Sequence, residues 1–287
     1  MTGILKGRDF VMNHKRKETM LQLGKGLVFW LLALLVIVPF LIVLFNAFKT
    51  KSEAINMSFT LPTQLHWENF VKVWQDGNIL RSYGNSLMIT VGAVLLTVGV
   101  SAPCAYILSR NRSKLNRILY VYVSLGLMFP LSMVTVVKVM RMFHLYNNRF
   151  GVMLLFSALM APLSIFLYYG FIGGVPKELD EAAVMDGAGP LRTFYQVLFP
   201  VMKPVTVTVV MLDFMSAWND FTIPLYLLPD PDKAVVVLQV YNFYGTFTAS
   251  WNLVCVTILF AILPIILVYL LGQKYIIGGM VAGSVKG

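Results

Sequence analysis

The chain has 287 residues, of which 58% are hydrophobic and 13% charged. A soluble domain carries about 25% charged residues, so this composition excludes an ordinary water-soluble enzyme and fits a membrane protein. The formal net charge of +10 comes from basic residues that flank apolar runs and form no stripe, which argues for a topology signal and against nucleic acid as a partner.

Residues 1–26 form a polar, basic lead, expected on the cytoplasmic side. A helix needs about 20 apolar residues to cross a bilayer. Six segments reach that length: Leu27–Phe48, Leu87–Ser109, Ile118–Val137, Gly151–Ile172, Val205–Leu228 and Asn252–Leu271. The first is too long for a signal peptide and lacks a small-residue cleavage site after it, so it is expected to remain as a span. Residues 27–272 thus form a six-helix membrane domain, and 273–287 a cytoplasmic tail. With the N-terminus inside, fifteen of the 23 Lys and Arg fall on the cytoplasmic side and eight outside. Arg110, Arg112, Lys114 and Arg117, close together in a short loop, carry the most weight in placing both termini in the cytoplasm.

The outer loop Lys49–Tyr83 contains HWENFVKVWQD, with Trp67, Phe70, Val71 and Trp74 at i, i+3, i+4 and i+7. That spacing makes one apolar helical face, suited to the membrane–water interface or to a packed cap. Each expected span holds one proline, Pro39, Pro103, Pro130, Pro162, Pro224 or Pro264, and kinked helices can splay around a cavity. Proline is also simply common in membrane helices. Cys104 and Cys255 lie within apolar runs and read as small buried hydrophobes.

Catalytic signatures are missing from the sequence. It has no phosphate-cradling G-x-x-x-x-G-K-[ST], no H-E-x-x-H and no G-x-S-x-G. His14, His66 and His144 lie in separate segments and form no metal pattern. An energised function needs a second chain.

The polar insertion Gly173–Pro204 lies on the cytoplasmic side. Pro176 suits a first helical position. Glu178, Asp180 and Glu181 complement the positive end of the helix dipole. Ala182, Ala183, Val184 and Met185 continue the helix, and Asp186 leads to Gly187 and Gly189, which stop it. Pro190 restarts a helix with Leu191, Phe194, Tyr195 and Leu198 at helical spacing, and Pro200 and Pro204 break it. The small apolar patch on an exposed element reads as either a partner-docking surface or a solvated loop.

Glu181-Ala182-Ala183, then Gly187, then Val197-Leu198-Phe199-Pro200 resembles the EAA loop of permease subunits of binding-protein-dependent ABC importers. The stretch FMSAWNDFTIPL, Phe214–Leu225, is similar to a signature of carbohydrate permeases. The C-terminal QKYIIGGMVAGSVKG is similar to the tail of maltose-transporter-type permeases with six spans. Ser250-Trp251-Asn252 departs from the Asp-Trp common before the last span in that family.

The resemblance implies an all-α integral membrane protein of the MetI-like ABC importer permease fold in the bacterial cytoplasmic (inner) membrane. It implies coupling to a separate ATPase through Glu178, Glu181, Ala182, Ala183, Met185, Asp186 and Gly187, and tail contacts from Ser284, Val285, Lys286 and Gly287. Expected partners are a second, distinct permease subunit, two ATPase subunits and an extracytoplasmic solute-binding protein. No cofactor is expected on this chain; ATP and Mg belong to the ATPase. The expected solute is a sugar or oligosaccharide, with a polyamine, peptide or anion, or an ion-coupled secondary transporter, as alternatives.

In the fifth span Thr206, Asp213, Ser216 and Asp220 lie near one helical stripe, with Trp218 and Asn219 beside it. These polar and aromatic groups suit a sugar path. The same residues also suit structure, with Asp213 pairing to a neighbouring helix and Asp220 capping one.

Overall fold

The computed structural model describes residues 2–111, 113–244 and 249–284, with side chains at 22, 24–26, 28–111, 113–244 and 249–273. The chain runs through α1 (Thr2–Ala47), α2 (Lys51–Ala54), α3 (Glu68–Asp76), α4 (Ile79–Arg110), α5 (Lys114–Leu125), α6 (Met133–Met142), α7 (Arg149–Gly173) and α8 (Glu178–Met185). Next, α9 (Pro190–Arg192), a π-helical turn at Thr193–Leu198 and α10 (Phe199–Val201) make one continuous rod. It leads to α11 (Lys203–Asn219), α12 (Thr222–Leu227), α13 (Val240–Phe243) and α14 (Trp251–Ser284).

Among the described residues, four helices are long and apolar enough to cross a membrane: Gly24–Ala47 within α1, α4, α7, and Trp251–Gln273 within α14. The rod Pro190–Val201 and α11, bent by 79°, make a fifth candidate. The expected third span, Ile118–Val137, is not one helix but α5 and α6 with residues 126–132 between them. Pro130 lacks an N–H and disfavours helical geometry in the residue before it. The expected fifth span, Val205–Leu228, is likewise divided into α11 and α12 at Asp220. By contrast Pro39, Pro103, Pro162 and Pro264 lie inside continuous helices. The expected boundaries at 26/27 and 272/273 fall inside α1 and α14, so they mark a change of composition and not of backbone.

The central pair is α4 against α7. Toward the Ile79 end of α4, Ile89 and Ala93 pack in one cluster with Val152, Phe156 and Met160 of α7. Toward its Arg110 end, Ala102, Ala105 and Leu108 pack with Ile165, Tyr168 and Ile172 of α7 and with Phe194, Val205 and Val209. Small residues on one helix let two backbones approach, which is how apolar helices gain packing contacts inside a membrane.

The loop after α1 is built by hydrogen bonding. Thr50 and Glu53 form a reciprocal capping box that starts α2. Lys49, 1% exposed, donates from Nζ to Ser58 O at 2.9 Å and to Ser58 Oγ at 3.0 Å. Asn69 of α3 donates to the carbonyls of Ala47 and Lys49, each at 2.9 Å. Val73 is fully buried, and Phe70 packs on Phe48 with ring centroids 4.9 Å apart. The cap is therefore seated through Asn69, Phe70 and Val73, while Trp67, Val71 and Trp74 of the face read from sequence are exposed. Cys255 is buried with its Sγ 3.7 Å from Met57 Sδ, and Cys104 is partly buried; both thiols are free.

Candidate functional site

The insertion after α7 folds as two arms. The first arm, α8, begins at Glu178 with Lys177 as its cap residue, two residues later than Pro176 suggested. It ends where Gly187 takes φ +78°. There the Gly187 N–H bonds Val184 O at 3.0 Å and the Ala188 N–H bonds Ala183 O at 2.9 Å. This pair of bonds is the left-handed helix termination that glycine supplies without steric cost. In the second arm, Pro190 sits in the first turn and Phe194 and Leu198 turn inward, both buried. Ala183 is buried beneath α8, the contact that seats one arm on the other.

The outward side of the two arms is apolar and acidic. Val184, Met185, Leu191 and Tyr195 are all exposed, Met185 by 87%. Glu178, Glu181, Ala182, Asp186 and Gly187 are exposed as well. Among the described residues, the carboxylates of Glu178, Glu181 and Asp186 have no hydrogen-bond or ion-pair partner.

Asp180, in the same acidic turn, is held internally. Arg110 Nη2, in the last turn of α4, lies 2.8 Å from its Oδ2. The Tyr106 hydroxyl donates to its Oδ1 at 2.9 Å. Tyr106 and Arg110 are i, i+4 neighbours and share a face of α4. Arg110 also donates to Val175 O at 3.0 Å and to Ile172 O and Pro176 O at 3.4 Å, capping the carbonyl end of α7. The Tyr106 ring lies 5.4 Å from the Phe194 ring of the second arm. Sequence reasoning used Arg110 only for topology and Asp180 only to complement the helix dipole, and gave Tyr106 no role. The available signal was a Tyr and an Arg four apart at the end of a span, facing an acid-rich loop.

The proposed path residues point in different directions. Asp213 is 2% exposed, and the Ser164 hydroxyl of α7 donates to its two oxygens at 3.0 and 3.3 Å. Trp218 is also 2% exposed, and its Nε1 donates to Ala261 O of α14 at 3.0 Å. Asp220 accepts from Ile223 N at 2.7 Å and so caps the first turn of α12. Ser216 and Asn219, by contrast, are exposed on α11. The structure therefore leaves Ser216 and Asn219 exposed and buries Asp213 and Trp218 in packing. Of the tail, Ser284 closes α14 in its backbone alone, and Val285, Lys286 and Gly287 lie outside the described residues.

The far end of the bundle is organised by the loop after α12. Asn85 of α4 donates to Asp232 O at 3.0 Å and Ala234 O at 2.9 Å. Ser86 Oγ accepts from Val236 N at 2.9 Å. Arg81 pairs with the Asp232 carboxylate, and Arg149 of α7 donates to Asp232 O at 2.9 Å. Asp230 is held below the usual carboxylate range by the Asp232 N–H and then by Lys233. On a different face, an open apolar groove of about 480 Å³ runs between α5 and α7, lined by Tyr122, Phe129 and Pro162 among others.

Residues 97–280 match the family of binding-protein-dependent transport system inner membrane components. The chain belongs to that family. The matched region spans the C-terminal part of α4, both arms of the insertion and most of α14. This permease is 33% identical to the probable starch degradation products transport system permease AmyC of Thermoanaerobacterium thermosulfurigenes, covering 89% of this chain and 93% of the relative. It is 33% identical to the diacetylchitobiose uptake system permease NgcG of Streptomyces coelicolor, covering 91% and 87%. Identity to the melibiose/raffinose/stachyose import permease MelC of Bacillus subtilis is 32%, covering 87% and 91%. A crystal structure of a bacterial ABC transporter that imports the polysaccharide alginate aligns with a TM-score of 0.80 at 23% identity, covering 91% of this chain and 98% of that one. That likeness establishes the MetI-like permease fold, and the family assignment makes the chain a multi-pass transporter subunit and not an enzyme.

Proposed function

We propose that this permease is one half of the translocation path of an ATP-driven importer for a sugar or oligosaccharide in the bacterial cytoplasmic membrane. A second, distinct permease forms the other half. Two ATPase subunits bind ATP and Mg and dock on the cytoplasmic face, and a solute-binding protein docks outside. The observation that carries this reading is the division of labour on α8. Asp180 anchors the helix to its own chain, while Glu181, Met185 and Val184 stand exposed for another chain. An acidic, apolar ridge fits a basic-rimmed groove on an ATPase, and the Glu181 carboxylate is the anionic, accepting member of an ion pair there.

A sugar is favoured by what the path face offers and by the named solutes of the relatives. Ser216 and Asn219 present a hydroxyl and an amide, which hydrogen-bond to sugar hydroxyls. A cationic solute calls for carboxylates on that face, and Asp213 faces Ser164 while Asp220 caps α12.

The test is purification of the complex from cells expressing the native chain, its Glu181→Arg form, or a form lacking 178–189. The native chain brings down an ATPase, and neither variant does. Panels of sugars are then presented through the cognate binding protein, and at least one stimulates ATP hydrolysis. Failure of any ATPase to accompany the native chain, or stimulation by polyamines alone, refutes this assignment.

A further inference from the structure

We infer that α4 is a transmission rod that ties the coupling helix α8 to the extracytoplasmic loop 232–236, through a polar clamp at each end. The inference rests on the coupling role proposed above and adds the side chains that carry it.

The inner clamp is the Tyr106–Arg110–Asp180 group. Asp180 Oδ1 accepts a hydrogen bond from Tyr106, and Arg110 lies within ion-pair distance of Oδ2. The Arg110 and Asp180 side chains are 15% and 18% exposed, so water screens the pair weakly. Arg110 simultaneously holds the last carbonyls of α7. A displacement of α8 therefore cannot leave the α4–α7 pair behind without separating a shielded charge pair.

The outer clamp is Arg81, Asn85 and Ser86. Among them they hold the Asp232 carboxylate, the carbonyls of Asp232 and Ala234, and the N–H of Val236. Asn85 and Ser86 are buried, so these bonds are sheltered too. Both clamps lie on one helix of 32 residues, and the stretch between them, Ser86 to Tyr106, rises about 30 Å at 1.5 Å per residue. Pro103 does not interrupt it. The loop it holds lies on the side where a binding protein delivers solute, and the helix it holds lies on the ATPase side. One continuous element thus has a discrete bonded contact with each of the two surfaces that must communicate.

The experiment uses the full complex with its binding protein in proteoliposomes. It reads two quantities: the factor by which solute-loaded binding protein stimulates ATP hydrolysis, and solute imported per ATP. Asp180→Asn keeps an acceptor for Tyr106 and removes the charge facing Arg110. Asn85→Ala opens the outer clamp. Each is expected to lower the stimulation about tenfold, within the range of typical site-to-site coupling, while the ATPase still co-purifies. Leu95→Ala, on the exposed face of α4 midway along it, is expected to behave as native. Should Asp180→Asn fail to assemble, Tyr106→Phe removes a single hydroxyl from the same clamp and reports a smaller loss in the same direction. Native stimulation in either clamp variant overturns the rod, as does an equal loss in Leu95→Ala. Loss of the ATPase from Asp180→Asn and Tyr106→Phe complexes also overturns it, because the clamp then only shapes the docking surface. An ATPase absent from native preparations is a different failure, that of the coupling role itself.

Discussion

Asp213 sits on α11, part of the fifth candidate span, and within a membrane an ionised carboxylate is unfavourable by roughly 2.5–3.5 kcal/mol on insertion scales. The only hydrogen-bonding side chain shown on its oxygens among the described residues is Ser164, a neutral hydroxyl. The pair ties α11 to α7, and an amide in place of the carboxylate can accept the same bond. Asp213→Asn is therefore expected to leave the melting temperature of the purified complex unchanged or raised. Asp213→Leu strands the Ser164 hydroxyl and is expected to lower stability by about 1–3 kcal/mol. A melting temperature for Asp213→Asn as low as that for Asp213→Leu would show that the charge itself is needed. The composition of the span made Asp213 conspicuous, but its direction was not legible. Offsets of 7, 10 and 14 along a helix leave several tens of degrees of freedom about the axis, and only the packing of α7 and α14 decides which side is covered.

The insertion was the element read most fully from sequence, because its signals are local. Acidic residues in a first turn, a glycine past the last turn and a proline restarting the next helix each act within four residues of themselves. Gly187 shows this directly. Its φ of +78° disfavours any residue with a Cβ by about 1 kcal/mol, although nothing within 4 Å would obstruct the added atom. Gly187→Ala is expected to fray the end of α8 and reduce the recovery of ATPase in pull-downs several-fold, whereas Gly189→Ala, at a negative φ, is expected to have little effect. Equal recovery from the two variants would remove the special role of the left-handed position. The break between α5 and α6 was harder to see. Its residues Leu127, Met128, Phe129 and Leu131 are as apolar as any span, so hydropathy reads straight through them. What interrupts the helix is Pro130, together with a close approach in which a Cβ on Gly126 would lie 3.0 Å from Pro162. That contact comes from a helix more than thirty positions away, beyond the reach of local pattern.

At the scale of the molecule, α1 is the outlier. Phe29, Trp30 and Leu35 are each at least 70% exposed, and among the described side chains of α1 only Asn46 and Ala47 are buried, Ala47 joining the cluster of Val73, Leu253 and Val254. A bilayer covers such a face at no cost, but so does a second permease, which would bury an α1 that this chain leaves bare. Co-production with its paired permease is expected to raise the yield and melting temperature of the chain in detergent. A chain produced alone that is monodisperse at the same melting temperature would count against an obligate pair. The 79° elbow at Met202 has a mechanical consequence of its own. Its short arm, Pro190–Val201, is about 18 Å long and α11 about 25 Å at 1.5 Å per residue. Two stiff arms joined near a right angle make a bell crank. A push at the tip of the short arm, directed across that arm within the plane of the elbow, emerges as a tilt of α11, with the far tip near Asn219 sweeping about 1.4 times as far by the ratio of those lengths.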